Sequence, residues 1–424
     1  MAKTITGKQV GDSYYRVEHP SGLTVLLYPK EHCSTTYAIF GTRYGSIDNC
    51  FQRSDEAGPE SVPEGIAHYL EHKLFESEEG DAFERFSKTG ASANAFTSFE
   101  STCYLFSTTD QVYQSLEILL DFVQSPYFTE ETVRKEQGII GQEIKMYDDD
   151  PQWRVMFNYL KAMYHSHPIR EDIAGTVESI AKITPELLYR CYNTFYNLGN
   201  MVLAIAGNFQ VDKALAVCDK MLKPAAPVTV KRVFPQEPDT IVQPVVEERL
   251  SVASPLFQFG FKEPGADQPR SEKDVAATEV LLETLASDAS PLFRQLLDQG
   301  LVNESSFSYE YFEGNGYATV MFSGESKDPQ AVAQAILEEV ERFQREGIPA
   351  EAFERSKRAL YGELVAALNS TGSIANGLVN MHLKGRELFT YIDSLASLRL
   401  EDGEERLRKV FQRERSVLSV ILPH

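Results

Sequence analysis

The sequence predicts an α+β protein built from two homologous α/β-sandwich repeats joined by a proline-rich linker. The order of strands and helices repeats in the two halves of the 424-residue chain, and each half is long enough to bury a core. Five of the 20 prolines fall between Lys223 and Glu247, and clustered prolines favour an extended, semi-rigid connection. We therefore predict a first domain at residues 1–225, a linker at residues 226–246 and a second domain at residues 247–424.

The two halves share their elements in the same order. A helix ends at Gly90 in the first half and at Gly300 in the second, and a strand follows each. A helix over Thr129–Glu143 is matched by one over Pro349–Glu363, which aligns Glu143 with Glu363. The matching strands are Leu23–Tyr28, Thr36–Phe40 and Met201–Ala206 in the first half, and Leu250–Phe261, Ala318–Phe322 and Val417–Leu422 in the second. This correspondence predicts one α+β unit per half.

The first half contains the string His68-Tyr69-Leu70-Glu71-His72. Pro63 suits a first helical turn, and Ile66, Leu70 and Leu74 have the spacing of an apolar helical stripe. His68 and His72 stand four apart, on one helix face, where they can bind one ion together. Zinc hydrolysis needs such ligands and a base that takes a proton from water. The alternative is a helix with two chance histidines on its polar face.

The predicted helix over Thr129–Glu143 offers further ligands. Thr129 is a plausible N-cap, and Glu136 and Glu143 are two turns apart, so that both carboxylates face the same way. Each glutamate could also belong to a solvated helix face. Apolar residues on the same helix predict that part of it is buried, where a carboxylate is costly without a partner; they are Val133, Ile139, Ile140 and Ile144.

These residues resemble the M16 (pitrilysin/insulinase) metallopeptidases, in which the inverted H-x-x-E-H motif is followed by two glutamates seven apart. The resemblance implies that each half has the LuxS/MPP-like metallohydrolase fold. It implies Zn²⁺ ligation by His68, His72 and Glu143, with Glu71 as the general base. Glu136 matches the glutamate that steadies the site and takes part in catalysis through it. The chain is most similar to the bacterial YmfH-type group of M16B-type subunits.

A further match lies in the segment Ser92–Thr97 and the Thr102–Phe106 strand after it. The segment is similar to the family's N-A-x-T edge strand, which pairs with the substrate backbone. The resemblance therefore implies that Asn94 and Ala95 bind substrate, as an added strand of the sheet.

The second half lacks the metal motif. Its corresponding helix falls around Thr278–Leu282, and the histidines after the linker are His382 and His424, without ligand spacing. We expect one zinc per chain, and we expect Glu363 to lie on a solvated face.

The second half also departs from active family members. They carry an arginine and a tyrosine that bind the substrate carbonyl and the oxyanion, where this chain has Leu297 and Asn303. The resemblance thus implies a heterodimer with a homologous zinc-less M16-type subunit that supplies both residues, although a homodimer is possible. Within this chain, Arg294 with Tyr309 or Tyr311 is the alternative source of the pair, but the spacing of these residues differs from that of the family, which favours the partner.

Composition narrows the classes of function. A formal net charge of −21 would repel phosphate, which argues against nucleic acid as a partner. The longest apolar runs are too short to span a membrane, and the amino-terminal residues lack a signal-peptide pattern, so we expect a cytoplasmic protein. The five cysteines have neither zinc-ribbon nor C-x-x-C spacing.

The sequence therefore predicts a zinc metalloendopeptidase subunit that cleaves small or unfolded peptides inside a closed chamber. The alternative is a non-catalytic peptide-binding or assembly subunit of an M16-type complex.

Overall fold

The computed structural model describes residues 2–78, 80–224, 226, 228–265 and 270–424. The chain forms two compact units, and both are assembled from separated segments. Unit 1 comprises Met1–Ile144, Glu171–Val233 and Val365–Phe389, and unit 2 comprises Lys145–Arg170, Phe234–Leu364 and Thr390–His424. Each unit thus includes a segment from the other side of the predicted linker. The physical reason is that each sheet is covered by one helix from the opposite half of the sequence.

The strands within the described residues follow in chain order. They are β1 (Ala2–Gly7), β2 (Asp12–Glu18), β3 (Thr24–Pro29), β4 (Thr36–Thr42), β5 (Cys50–Arg53), β6 (Glu60–Ser61), β7 (Glu76–Ser77), β8 (Gly80–Asp81), β9 (Ser92–Thr97), β10 (Thr102–Thr108), β11 (Met201–Gly207), β12 (Val230–Arg232), β13 (Val245–Leu250), β14 (Leu256–Lys262), β15 (Ser308–Gly314), β16 (Tyr317–Glu325) and β17 (Ser416–Pro423).

The helices of the same residues are longer on average in the second half. They are α1 (Ile66–Leu74), α2 (Ala82–Thr89), α3 (Val112–Val123), α4 (Glu130–Asp148), α5 (Pro151–Met163), α6 (Val177–Ile180), α7 (Pro185–Phe195), α8 (Val211–Met221), α9 (Glu272–Ala286), α10 (Pro291–Asp298), α11 (Pro329–Glu346), α12 (Ala350–Ala367), α13 (Thr371–Leu383), α14 (Leu388–Ala396) and α15 (Leu400–Val410).

The two main sheets have the same topology. The sheet of unit 1 has the order β1-β2-β3-β11-β4-β10-β9, and that of unit 2 has the order β13-β17-β14-β16-β15. In each, one parallel pair (β3 with β11, β13 with β17) is followed by three antiparallel pairings. The five strands from β3 to β9 therefore correspond one to one with unit 2. This confirms the predicted α+β fold of two homologous repeats.

Alternating side chains place helices on both faces of the unit 1 sheet. On β10, Tyr104 and Phe106 contact Phe122 of α3 and Phe86 of α2, respectively. Cys103, the residue before Tyr104, points to the opposite face, because successive strand residues alternate. That face is covered by α13, which packs on β4 and β11.

Glycines on corresponding strands allow the exchanged helices to approach. A Cβ atom at Gly41 of β4 would lie 3.0 Å from Cγ1 of Val379 in α13. In unit 2, a Cβ atom at Gly260 of β14 would lie 2.4 Å from the hydroxyl oxygen of Tyr159 in α5, and that hydroxyl is 2.6 Å from Oγ1 of Thr319. Neither position has room for a larger residue, so each glycine sets how closely its helix packs on the sheet.

Three local predictions need correction. Helix α1 begins at Ile66, after Gly65 with φ of 84°, so Pro63 precedes the helix instead of forming its first turn. The segment Leu250–Phe261 is not one strand but the end of β13 and most of β14. Residues 226–246 are not only an extended connection, because they contain β12, which pairs with β5. Ala225 and Pro227 lie outside the described residues.

Glu237, in the predicted linker, is bound to unit 2 by charge and hydrogen bonds. Its carboxylate accepts the backbone N–H groups of His165, Ser166 and His167 at 2.7–2.9 Å and lies 2.6 Å from Nζ of the buried Lys262. Burial by itself would raise the pKa of Glu237, but the Lys262 ammonium and the backbone donors lower it to about 2. The ionised carboxylate therefore stabilises the folded unit.

None of the helices in the described part of the chain combines the length and the apolar character needed to cross a membrane.

We predict that Glu237→Gln lowers the free energy of unfolding by about 3 kcal/mol at pH 7, because it leaves the Lys262 charge buried without its partner. Since the folded-state pKa lies below the ordinary value of 4.5, the stabilisation is present above that pH and is lost as the pH falls toward 2. Denaturant unfolding across pH measures both effects. Glu304→Gln, which removes the same charge from an exposed side chain, is the control. A wild-type stability advantage that persists unchanged at pH 2 would contradict the assignment.

Candidate metal centre

The start of α1 is fixed by close backbone packing. A Cβ atom at Gly65 would lie 2.3 Å from the carbonyl oxygen of Ala174, and its positive φ favours glycine. The Ser179 hydroxyl donates to the carbonyl oxygen of Glu64 at 2.9 Å. These contacts hold the first turn of α1 and thereby set the rotation of the helix that carries His68, Glu71 and His72.

Helix α4 packs beside α1 through its buried face. Thr129 is its N-cap, as predicted, because its Oγ1 accepts the backbone N–H of Thr132 at 3.2 Å. The hydroxyl of Tyr69 on α1 donates to the carbonyl oxygen of Val133 on α4. Ile139, predicted among the residues of a partly buried helix, is 49% exposed, whereas Val133, Ile140 and Ile144 are buried. The buried side therefore turns Glu136 and Glu143 toward α1.

The structure brings the predicted ligand side chains together. His68, His72 and Glu143 each offer one donor atom, and these atoms lie within 4.8 Å of one another. Nε2 of His68 is 3.6 Å from Oε1 of Glu143, and Nε2 of His72 is 3.4 Å from its Oε2. Two imidazole nitrogens and one carboxylate oxygen form the donor set of a catalytic zinc site, which keeps a fourth position open.

Glu136 holds the ring of His72 in one orientation. Its Oε1 is 3.0 Å from Nδ1 of His72, which assigns the ring proton to Nδ1 and leaves Nε2 free as a donor atom toward a cation. Burial alone would raise the pKa of Glu136, but the hydrogen bond to His72 and the charges of His72, Lys73 and Lys135 lower it. Glu136 therefore stays ionised and fixes the tautomer of His72.

His68 is the most enclosed of the three donors and is 7% exposed. Burial lowers the pKa of His68 to about 4, and the neighbouring His72 acts in the same direction. The imidazole is thus neutral at physiological pH, which is the form that binds a metal. The donor set fits zinc, because both histidines present Nε2 to the same carboxylate.

Glu71 lies on the same helix, and its carboxylate is bound to the sheet. Oε2 of Glu71 accepts the hydroxyl proton of Thr97 at 2.6 Å. Burial raises the pKa of Glu71, and the Thr97 hydrogen bond opposes part of that rise. A carboxylate with a raised pKa is suited to accept and return a proton near neutral pH.

The strand that carries Thr97 is the edge of the unit 1 sheet. β9 is the last strand in the order and pairs only with β10 among the described strands. The backbone N–H of Ala95 donates to Oδ1 of Asn94 at 2.9 Å. Asn94 is exposed and Ala95 half-buried. The outer side of β9 can accept another extended chain.

The second-half residues compared above with the arginine and tyrosine of the family lie in other surroundings. Leu297, in the last turn of α10, is half-buried, and Oδ1 of Asn303 accepts the backbone N–H of Ser306 at 2.8 Å. Tyr311 donates its hydroxyl to Glu263 at 2.6 Å within a buried ion cluster, and Tyr309 donates to Glu283.

Arg294 of α10 and Glu363 of α12 are both exposed. The exposed position of Glu363 agrees with the solvated face expected for it.

Three residues make contacts near the site that the sequence did not predict. Gly65 and Tyr69 hold α1 against its neighbours. Thr97, predicted only as the end of the substrate-pairing segment, donates its hydroxyl to Glu71. Gly65 could have been found as a glycine just before the motif helix, and Thr97 as the last residue of the edge strand. Tyr69 has no such signal, because a tyrosine inside a helix is most often a core residue.

Two repeated sheets and a set of metal-donor atoms from two helices are typical of two-domain metallopeptidases. Residues 60–177 match the family model for insulinase (peptidase family M16), and residues 182–360 match that for the peptidase M16 inactive domain. An uncharacterized zinc protease of Bacillus subtilis (strain 168), YmfH, is 39% identical over the whole of both chains. An uncharacterized zinc protease of Streptomyces coelicolor is 26% identical over 85% of this chain and 81% of its own.

A solved structure has the same fold over the whole chain. The crystal structure of a putative M16-like peptidase from Alicyclobacillus acidocaldarius has a TM-score of 0.92 and 35% identity, covering 100% of this chain and 99% of the other. The chain belongs to the M16 (insulinase) family of peptidases, and within it resembles the YmfH-type zinc proteases.

We expect that Glu136→Gln weakens Zn²⁺ affinity by about 10- to 100-fold, because the amide can no longer hold His72 as a carboxylate does. Isothermal titration of the metal-free protein with zinc measures the change. Glu131→Gln, in the first turn of the same helix and exposed, should leave the affinity unchanged. Equal weakening by both variants would mean that α4 as a whole, not the bond to His72, is responsible.

Proposed function

We propose that this protein is the zinc-bearing subunit of an endopeptidase that cleaves small or unfolded peptides inside a closed chamber. The observation that carries the proposal is the convergence of His68, His72 and Glu143 from two helices, with Glu71 one residue from a ligand. Family membership supports it, because relatives are named zinc proteases.

The proposed ligands of Zn²⁺ are Nε2 of His68, Nε2 of His72 and a carboxylate oxygen of Glu143. When bound, zinc supplies Lewis acidity, which brings the pKa of a coordinated water toward neutrality. Glu136 keeps Nδ1 of His72 protonated. The nearly complete burial of His68 shields that side of the site from bulk water.

Glu71 is the proposed general base. Its carboxylate accepts a proton from the attacking water and then returns it to the nitrogen of the departing amine. The raised pKa of Glu71, caused by burial, favours both transfers, because a weakly basic carboxylate would hold the proton too briefly to deliver it.

The proposed substrate is a peptide in extended conformation along β9. Backbone pairing at Asn94 and Ala95 would add one strand to the seven-stranded sheet. Recognition of this kind depends on backbone groups more than on side chains. It selects peptides that extend easily, and it excludes folded proteins whose chain cannot leave its own structure.

The partner is proposed to be a homologous subunit without zinc that supplies arginine and tyrosine. Neither Leu297 nor Asn303 carries a positive charge, and the side chain of Asn303 is engaged within its own turn. Tyr311 is equally engaged, with Glu263. An oxyanion donor is worth about 3 to 4 kcal/mol of transition-state stabilisation, so its supply by a partner would determine activity. A homodimer remains the alternative assembly.

A second candidate function is a non-catalytic peptide-binding or assembly subunit. The observation that favours it is the same lack of arginine and tyrosine at positions 297 and 303. The complete set of His68, Glu71, His72 and Glu143 favours the enzyme, because a binding subunit needs no base beside its metal.

We predict that the zinc-loaded chain, mixed with its homologous zinc-less subunit, cleaves a fluorescence-quenched unfolded peptide, and that Glu71→Gln abolishes cleavage. Loss of the base should lower kcat by at least about 100-fold, whereas zinc content should stay at one per chain. Removal of the metal with a chelator should also stop cleavage, and added zinc should restore it.

Equal activity of this chain with and without the partner would disprove the heterodimer. Peptide binding without cleavage in the complete mixture would favour the non-catalytic alternative. Glu31→Gln, an exposed residue of unit 1, serves as the control for loss of one negative charge.

We further predict that Ala95→Pro raises KM for the same peptide several-fold, because proline removes a backbone donor from the outer side of β9. Zinc affinity should be unaffected, since none of the proposed ligands lies on this strand. Initial-rate kinetics over a range of peptide concentrations provide the measurement. A proline variant with normal KM would exclude pairing along β9.

A further inference from the structure

We propose that Thr97 is a positioning residue: its hydroxyl fixes the orientation of the Glu71 carboxylate and so couples the edge strand to the base. The proposal rests on the function proposed above for Glu71. Thr97 lies on the edge strand and Glu71 on α1, so the contact joins the sheet to the helix. This role of Thr97 is separate from the backbone pairing of the strand with substrate.

The direction of the hydrogen bond follows from the neighbouring hydroxyl. Oγ1 of Thr97 is 2.6 Å from Oε2 of Glu71, a length typical of a hydroxyl bound to an ionised carboxylate. Oγ1 of Thr102 is 3.4 Å from that of Thr97, but Thr102 donates its own proton to the carbonyl oxygen of Tyr44 at 2.9 Å. The proton of Thr97 therefore goes to Glu71.

One oxygen of the base is held in this way and the other stays available. Within the described residues, Oε2 of Glu71 accepts from Thr97, and Oε1 makes no hydrogen bond. A glutamate side chain has three rotatable bonds, and restricting them costs conformational entropy. The Thr97 hydroxyl restricts it in advance, so that Oε1 is the oxygen free to handle the proton.

The anchor is rigid because Thr97 belongs to a paired strand. Its backbone is opposite Thr102 in the β9–β10 ladder, and Ala95 is opposite Tyr104. Strand alternation places the side chains of Ala95 and Thr97 on the same face, and both are half-buried. The strand proposed to align the substrate thus also aligns the base, and a shift of β9 would displace both together.

The test compares Thr97→Val, which keeps the shape and removes the hydroxyl, with Thr97→Ser, which keeps the hydroxyl. In the zinc-loaded complex with its partner subunit, the valine variant should lower kcat by about 10- to 100-fold with KM and zinc content unchanged. The serine variant should restore most of kcat. Thr108→Val, at the end of the neighbouring strand β10, removes a hydroxyl that donates to the backbone carbonyl oxygen of Asp110 and should leave kcat unchanged.

Several results would overturn the proposal. A valine variant with wild-type kcat would do so, as would a valine variant in which only KM rises, since that would make Thr97 a substrate contact. A serine variant as poor as valine would indicate a packing role. A drop in kcat matched by lost zinc or a lowered melting temperature would indicate a merely structural role.

Crystal structures of the zinc-loaded wild type and Thr97→Val add a readout that needs no activity. We expect the Glu71 carboxylate to be ordered against Thr97 in the wild type and turned away or in several rotamers in the variant. If the wild-type complex cleaves no peptide, the proposed function fails, and the orientation of Glu71 still decides the role of Thr97. An unmoved carboxylate in the variant would overturn that role.

Discussion

The hydrogen bond between Nδ1 of His72 and Oε1 of Glu136 is the interaction that orders the candidate metal centre. It joins two helices that are 64 positions apart in the chain at these residues. Because a carboxylate beside a buried imidazole fixes both its tautomer and its ring plane, Nε2 of His72 is turned toward Glu143. Without this bond, the ring of His72 would lose the partner that fixes its tautomer and its orientation.

Burial shifts the pKa values of the titratable groups of the site in different directions. Desolvation keeps His68 neutral and lowers its pKa to about 4, whereas the same effect raises the pKa of Glu71. Glu136 is also enclosed, yet the cationic groups around it keep it ionised. Burial therefore does not shift these groups alike, and the partners of each side chain, not burial alone, decide the direction of its pKa shift.

Because the repeats exchange helices, each sheet needs a helix from the other half of the sequence to complete its core. α13 covers the unit 1 sheet and α5 covers the unit 2 sheet, although each belongs to the other half of the sequence. The exchange occurs directly after the long helices α4 and α12, at corresponding places in the repeat. Each sheet would expose apolar surface without its exchanged helix, so neither half of the sequence contains a complete core.

Local patterns in the sequence were enough to predict the fold class and to place His68 and His72 on one helix face, because helical periodicity is local. The spacing of Glu136 and Glu143 also marked them as a pair. The folded chain alone shows that Glu136 binds His72, that Glu143 faces both histidines and that Thr97 reaches Glu71. Those contacts join residues far apart in the chain, and their geometry depends on how helices and sheet pack, which no local pattern encodes. For the same reason, the sequence did not predict the exchange of helices. Apolar periodicity indicates that a helix face is buried, but it does not indicate which sheet that face covers.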